Sequence, residues 1–167
     1  MDKFILDACC GGRQMWFNKA HPNTLYIDND PRAKGSLETR PNWECQPDQI
    51  MDFTKLDLPD KSFKLVVWDP PHKKDLHETS IFRVKYGSLQ AETWHVDLTK
   101  GFSEIWRVLD DYGVLVFKWS ETDISIEEVL KLFKQEPLFG HITGSKSKTI
   151  WLCFMKIPGQ NNTSGLD

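Results

Sequence analysis

Short apolar runs in this chain stop at acidic residues, and this pattern most constrains its fold. The clearest run, Phe63–Trp68, contains one lysine, which is typical of a strand buried on both faces of a sheet. It ends at Asp69, and the two prolines that follow cannot continue a central strand. Residues 4–6 and 24–27 are similar runs that stop at Asp7 and Asp28.

Helical periodicity appears after the run Phe63–Trp68. Large apolar side chains recur at i, i+3, i+4 and i+7, and predict a helix that Gly113 would cap. A second helix is predicted to begin at a capping box formed by Ser125 and Glu128. Residues 15–17 follow a glycine pair and are predicted to anchor a first helix. The apolar positions of the two later helices are Phe102, Ile105, Trp106 and Leu109, and Ile126, Val129, Leu130 and Phe133.

Further strands are predicted at residues 50–53, 113–119, 141–142 and 150–155, the last two as an antiparallel hairpin. Strands that alternate with helices predict an α/β fold, a Rossmann-like, doubly wound, mostly parallel sheet with a C-terminal antiparallel hairpin. Residues 1–158 are predicted to form one domain, and the polar residues 159–167 a disordered tail.

The composition excludes some classes of function. A net charge of −3 and a pI near 5.9 argue against a strong non-specific nucleic-acid binder, although a local basic groove stays open. No apolar run approaches the roughly 20 residues of a membrane-spanning helix, and no secretory signal is recognisable. We therefore expect a cytoplasmic protein without a membrane partner.

The cysteines do not have the spacing of a metal site. Cys9, Cys10, Cys45 and Cys153 lack a paired C-x-x-C arrangement, and adjacent cysteines suit a structural disulfide poorly. We expect buried free thiols and no metal.

Acidic residues at successive strand ends predict a binding site. In a parallel sheet Asp7, Asp28, Asp52 and Asp69 would line one rim, where carboxylates can accept hydrogen bonds from ribose hydroxyls. Neither the G-x-G-x-x-G fingerprint nor a phosphate-binding P-loop is present. A nucleoside-like ligand with a neutral or positive reacting end therefore fits better than a phosphate ligand.

The motif D-A-C-C-G-G at residues 7–12, followed by Asp28, Asp52 and D-P-P-H at residues 69–72, resembles class I S-adenosylmethionine-dependent methyltransferases. The resemblance spans residues 4–157 and is closest to the amino-group nucleic-acid methyltransferases, whose signature is [DN]-P-P-[YFW]. It implies S-adenosylmethionine as cofactor and S-adenosylhomocysteine as product.

The resemblance also implies roles for individual residues. Asp7 and the backbone of Ala8, Cys9, Cys10 and Gly11 would hold the methionine end of the cofactor. Asp28 would hold the ribose hydroxyls, Asp52 and Phe53 would hold the adenine, and Asn29 would also bind the cofactor. The catalytic segment would be Asp69, Pro70, Pro71 and His72, with Asp69 facing both cofactor and substrate.

This segment suits an exocyclic amine, whose lone pair is delocalised into its ring. The Asp69 carboxylate and the Pro70 carbonyl can accept its two N–H bonds and turn the lone pair towards the methyl group. Such orientation can supply roughly 7 to 11 kcal/mol of a barrier. His72 stands where the family has an aromatic ring, so it could stack on the base, act as a weak base or be structural.

Two other departures concern the pocket. Arg13 stands at the family's last glycine, and the helix that often precedes the first strand is missing. The cofactor pocket is therefore expected to be more open, or to be completed by a second subunit.

Residues 73–96 form a connection far longer than the usual roughly 4 to 6 residues. Its basic and aromatic residues suit a lid or a strand-binding segment, and an ordinary solvated helix is the alternative. Lys146 and Lys148 at the hairpin tip could add phosphate contacts. The basic residues are Lys73, Lys74, Arg83 and Lys85, and the side chains that could stack are Ile81, Phe82, Tyr86 and Trp94.

Three functions are therefore considered. The first is methyl transfer to an exocyclic amino group of a nucleobase in DNA or RNA, with adenine N6 as the first guess. The second is methyl transfer to a protein amide or a small molecule. The third is a non-catalytic cofactor-binding module. A homodimer or a recognition partner could assist the first.

Overall fold

The computed structural model describes residues 3–142 and 148–159. Within these ranges seven strands form one sheet in the order β3-β2-β1-β4-β5-β7-β6. The pairs among β1 to β5 are parallel, whereas β7 is antiparallel to both β5 and β6. The predicted α/β fold with its C-terminal hairpin is confirmed. The strands are β1 (Ile5–Asp7), β2 (Thr24–Asp28), β3 (Gln49–Ile50), β4 (Phe63–Trp68), β5 (Leu109–Ser120), β6 (Phe139–Ile142) and β7 (Thr149–Met155).

Three helices in the described residues follow β4: α1 (Ile81–Tyr86), α2 (Trp94–Val108) and α3 (Ile126–Leu130). Apolar side chains of α2 and α3 meet the sheet in one core, in which Phe102 of α2 stacks on Phe133 at 4.0 Å between ring centroids. The capping box at Ser125 is confirmed, with both hydrogen bonds formed. Within the described ranges no helix is long and apolar enough to cross a membrane.

The helix predicted after the glycine pair is wrong. Residues 13–16 instead form turns, in which Arg13 N donates to Cys10 O and Trp16 N donates to Arg13 O. Arg13 has a φ of 51°, which a helix cannot accommodate, so the positive φ ends helical geometry at this point. A glycine would adopt the same backbone readily.

In place of the helix predicted after the glycine pair, side-chain contacts of Arg13 hold this part of the chain. Its guanidinium lies 3.8 Å from the ring centroid of Tyr26 and donates to the carbonyl oxygens of Lys19 at 2.8 Å and Gln46 at 2.6 Å. The loop after β1 is thereby tied to β2 and to the connection that leads into β3.

That connection, residues 29–48, carries no helix either. Arg32 and Cys45 form an antiparallel bridge with two backbone hydrogen bonds of 2.9 Å. A second, smaller core made by Cys10, Tyr26, Leu37, Trp43 and Cys45 packs beneath it. A long irregular segment thus keeps a defined shape.

The connection between β3 and β4 is anchored by Arg107 of α2. Its guanidinium donates to the carbonyl oxygens of Leu56 and Leu58 at 2.8 Å each, and pairs with Glu104 at 2.8 Å. The predicted strand at 50–53 is shorter than expected, because Asp52 accepts a hydrogen bond from Thr54 N and turns the chain.

Gly113 does not cap α2. The helix ends at Val108, Leu109 is already extended, and β5 runs on to Ser120. The pairing of β4 with β5 shifts between Phe63 and Leu65, so residues 110–113 form a bulge. A Cβ at Gly113 would lie 2.8 Å from Asp110 O, so the bulge requires glycine. The predicted tail and most of the predicted hairpin tip, with Lys146, lie outside the described residues.

Candidate functional site

A cavity of about 580 Å³ opens at the carboxyl ends of β1, β2 and β4. Its volume is in the range of small-molecule and cofactor sites, and it lies where open α/β sheets bind ligands. The structure brings most of the predicted site residues together there. Those that line the cavity are Ala8, Cys9, Cys10, Gly11, Asp28, Asn29, Asp52, Phe53, Asp69 and Pro71.

Asp7, by contrast, lies outside the lining. Its side chain is fully buried and accepts a hydrogen bond from Trp16 Nε1 at 2.7 Å. Burial raises the pKa of Asp7 to about 7, against the hydrogen bonds from Trp16 and from the Cys9 backbone, which lower it. Asp7 therefore supports the loop after β1 from the core side, and its contact with the ligand stays a prediction. Trp16 shares this structural role.

Backbone N–H groups of the loop after β1 hold it to the neighbouring strands of the sheet. Ala8 N donates to Val67 O at 3.0 Å, and Cys10 N donates to Ile27 O at 2.9 Å. Gly11 N donates to the Asp28 carboxylate at 2.9 Å. Each amide thus meets a neighbouring strand or its end, and the loop holds a fixed wall of the cavity.

Two carboxylates face the cavity with acceptor capacity to spare. Asp28 accepts from Gly11 N through one oxygen and from Asp30 N at 3.0 Å through the other, and each oxygen has a second lone pair. Asp52 is partly buried, which opposes ionisation, but hydrogen bonds from Thr54 and Asn29 lower its pKa overall. Both side chains can therefore accept hydrogen bonds from ligand hydroxyls.

Phe53 and Asp69 form the part of the cavity nearest the core. The Phe53 ring packs edge-on against Trp68 at 5.6 Å between centroids. A Cβ at Gly101 of α2 would lie 2.5 Å from the Phe53 ring, so glycine allows this close packing. Asp69 directly follows β4, and its side chain is mostly buried.

Asp69 has a cationic partner that the sequence analysis missed. Lys118 Nζ on β5 donates to Asp69 Oδ2 at 2.6 Å, and Lys118 also lines the cavity. The sequence does contain a signal for this residue, because Lys118 is a charged residue inside the apolar run at 113–119. Other lining residues that were missed are Gln14, Met15, Trp43, Met51 and Asp97.

The α1 segment, residues 81–90, forms the outer wall of the cavity, to which residues 83–90 contribute. Val84 packs against the second core, and a Cβ at Gly11 would lie 3.6 Å from Lys85 O. On the other side, a Cβ at Gly87 would lie 2.8 Å from Pro71. The α1 segment therefore bridges the loop after β1 and the D-P-P segment.

His72 and Pro70 also lie outside the main lining. His72 lines a small depression beside it with Phe82 and Tyr86, and its ring lies 6.3 Å from Tyr86 and 6.2 Å from Trp119. Burial lowers the pKa of His72, so its ring is neutral at physiological pH. Phe82 and Tyr86 are 52% and 39% exposed.

Lysines accompany these exposed rings. Lys73 Nζ lies 4.4 Å from the ring centroid of Phe82, and Lys85 Nζ lies 4.7 Å from that of Tyr86. The D-P-P-H segment thus ends beside a patch that offers both aromatic faces and positive charge.

No protein-family model and no curated protein matches the sequence. Solved structures, however, match its fold. An S-adenosylmethionine-dependent methyltransferase from Methanosarcina mazei superimposes with a TM-score of 0.57 at 11% identity, over 93% of each chain. A geranyl diphosphate methyltransferase bound to GPP and sinefungin matches with a TM-score of 0.56 at 10% identity, over 93% of this chain and 71% of that one.

A cyclase is among the similar structures as well. SpnF, a [4+2]-cyclase, matches with a TM-score of 0.54 at 13% identity, over 92% of this chain and 74% of that one. At these identities the similarity establishes the class I methyltransferase fold, while the reaction and the substrate have to be argued from the site.

Proposed function

We propose that this protein is an enzyme that transfers a methyl group from S-adenosylmethionine to an exocyclic amino group of a nucleobase in nucleic acid, with adenine N6 as the first target to test. The observation that carries the proposal is the position of Asp69. Asp69 lies at the end of β4, lines the cavity and accepts a hydrogen bond from Lys118. It directly precedes Pro70 in the D-P-P-H segment, which ends beside the ring patch formed by His72, Phe82 and Tyr86.

The chemistry of the cavity fits the cofactor. Asp28 and Asp52 offer acceptors for ribose hydroxyls, and Phe53 offers an apolar surface beside them for the adenine ring. Carboxylates at this rim suit a positively charged sulfonium better than a phosphate. When bound, S-adenosylmethionine supplies the electrophilic methyl group.

The chain's own residues orient the acceptor. Lys118 occupies one oxygen of Asp69, so the other oxygen stays available for an amino N–H. We assign the second N–H to the Pro70 carbonyl, which lies outside the cavity lining and also interacts with the His72 ring. The absence of an N–H on proline removes a competing donor. The amine is thereby turned so that its lone pair faces the methyl group, and orientation replaces a general base.

The ring patch supports nucleic acid as the substrate. His72, Phe82 and Tyr86 can stack on bases, and Lys73 and Lys85 can contact phosphates. Because His72 is neutral, its ring can stack without the cost of desolvating a charge. Recognition beyond one base would come from the α1 segment or from a partner subunit. The free cysteines fit a reducing cytoplasm.

The test uses methyl-labelled S-adenosylmethionine with DNA, RNA and whole-cell extract. We expect label that nuclease releases and that Asp69→Ala abolishes, while Asp69→Asn retains part of the activity through its amide oxygen. Asp60→Ala is the matched control, because Asp60 pairs with Arg107 at 2.7 Å at the opposite end of β4.

Equal labelling by wild type and Asp69→Ala would refute the mechanism. Label that protease releases, or label in small molecules, would refute the nucleic-acid assignment and leave the methyltransferase. If calorimetry shows that S-adenosylmethionine does not bind, both the nucleic-acid assignment and the methyltransferase assignment are refuted.

A second candidate is methyl transfer to a small molecule or a protein amide. The net charge of −3 favours it, because most nucleic-acid enzymes present a basic face. Salt separates the two, since each neutralised phosphate releases counterions. Substrate affinity that falls steeply with salt supports nucleic acid, and salt-insensitive affinity supports the second candidate.

A further inference from the structure

Two thiols and a carboxylate meet at one wall of the cavity. Ligand atoms of Cys10, Asp28 and Cys45 all lie within 4.8 Å of one another. Cys10 and Cys45 are only 4% and 2% exposed, yet both line the cavity, as does Asp28. The three residues come from three separate segments, so sequence spacing could not reveal the cluster.

The backbone holds each of these residues in place. Cys10 N donates to Ile27 O, and Cys45 is fixed by its two hydrogen bonds with Arg32. Asp28 accepts from Gly11 N. The three metal-ligating residues are therefore preorganised, and binding an ion between them requires little rearrangement.

A divalent cation would displace the thiol protons and draw the three ligands together. Two sulfurs and one oxygen are a ligand set that zinc-like ions prefer over magnesium or calcium.

We propose that Cys10, Cys45 and Asp28 form a binding site for a thiophilic divalent cation of the zinc class, with its remaining coordination position open to the cavity. The cation would join the loop after β1 to the connection between β2 and β3, which has no helix to hold it. A further consequence rests on the proposed function: Asp28 is also assigned to the ribose, so cation and cofactor compete.

Cadmium is the probe, because each Cd²⁺–thiolate bond contributes ultraviolet charge-transfer absorption. Titrations use the full chain with a phosphine reductant, which does not compete as a thiol. We expect wild type to bind one Cd²⁺ with absorption from two thiolates. Cys45→Ser should lose half of the absorption and weaken binding by roughly 100-fold, since losing even an outer partner of a ligand costs 10- to 100-fold.

Cys153→Ser is the matched control, because Cys153 lies on β7 and does not line the cavity. It should bind as wild type does. Circular dichroism checks that each variant folds, and Asp28→Asn gives an independent test, since it should weaken binding while keeping the full thiolate absorption. The site is overturned if wild type shows no thiolate band or if Cys45→Ser leaves the band unchanged. It is also overturned if Asp28→Asn binds Cd²⁺ as tightly as wild type, or if Cys153→Ser loses the band.

Calorimetry with S-adenosylmethionine, with and without Zn²⁺, separates the two proposals. Weaker cofactor binding in Zn²⁺ for wild type, but not for Cys45→Ser, supports competition. Cofactor binding that Zn²⁺ does not change overturns the competition. If the cofactor fails to bind in either condition, the proposed function fails, and the cadmium result still decides the cation site.

Discussion

Lys118 Nζ lies 2.6 Å from Asp69 Oδ2, so the carboxylate at the end of β4 is held by a lysine of the neighbouring strand β5. Both side chains are mostly shielded from water, with 24% of Lys118 and 14% of Asp69 exposed. Trp68 pairs with Phe117, which places the two residues that follow them side by side. The sheet itself therefore fixes the orientation of Asp69.

Lys118→Met should lower kcat by roughly 100-fold, because a carboxylate free to rotate no longer presents its oxygen to the amine. The cofactor Kd should change little, and Lys118→Arg should recover part of kcat. Lys64→Met is the control, since Lys64 pairs with Asp110 in an exposed bridge between the same two strands. A change confined to KM would argue against positioning.

His72→Phe should keep most of the activity, because a planar ring can still stack on a base. His72→Ala should raise KM for nucleic acid and leave cofactor affinity unchanged. The neutral state of His72 predicts that its substitution leaves the pH profile of kcat unchanged above about pH 6.5, the ordinary pKa of histidine. If His72→Phe is as impaired as His72→Ala and the profile moves, His72 acts as a base.

Asp7→Asn should change how stability depends on pH. The folded pKa of about 7 exceeds the ordinary 3.8, so between these values the folded chain holds a proton that the unfolded chain releases. Raising the pH from 4 to 7 should therefore lower the free energy of unfolding of wild type relative to Asp7→Asn, by up to about 1.4 kcal/mol per pH unit. Urea unfolding across this range measures it, and a constant difference would show that Asp7 does not hold the proton.

Gly87→Ala tests the junction between the α1 segment and the D-P-P segment. Gly87 has a φ of 72°, and an added Cβ would meet Pro71 at 2.8 Å. Gly35→Ala also changes a glycine of positive φ, 85°, but an added Cβ there meets nothing within 4 Å. Both should lose about 1 to 3 kcal/mol of stability from backbone strain, and only Gly87→Ala should also lose methyl transfer. Equal activity of the two variants would show that this junction does not shape the site.

The sequence predicted the strands and the acidic residues at their ends well, because both depend on local signals. Runs such as Phe63–Trp68 mark buried strands, and the acids that follow them lie at one rim in any parallel sheet. The sequence predicted the connections poorly. Arg13 and Arg107 hold irregular connections through contacts with distant carbonyl groups, and no local pattern marks such contacts.

The same limit applies to the site. The positions of Asp28, Asp52 and Asp69 after strands identified them as site residues. The buried environment of Asp7, by contrast, includes a hydrogen bond from Trp16, which no local pattern predicts. The pairing of Asp69 with Lys118 depends on which strand lies next to β4. Both are consequences of tertiary packing, and the order of residues along the chain does not encode them directly.

The hydrogen bonds of the loop after β1 also limit what the cavity can select. In nucleotide-binding folds the free N–H groups of such a loop, backed by a helix N-terminus, form a nest for phosphate oxygens. Here the amides of Ala8, Cys10 and Gly11 already have partners within the protein, and turns follow the loop instead of a helix. These three amides are not available to phosphate oxygens, so we expect the loop to favour nucleosides without phosphate over ATP and dinucleotides.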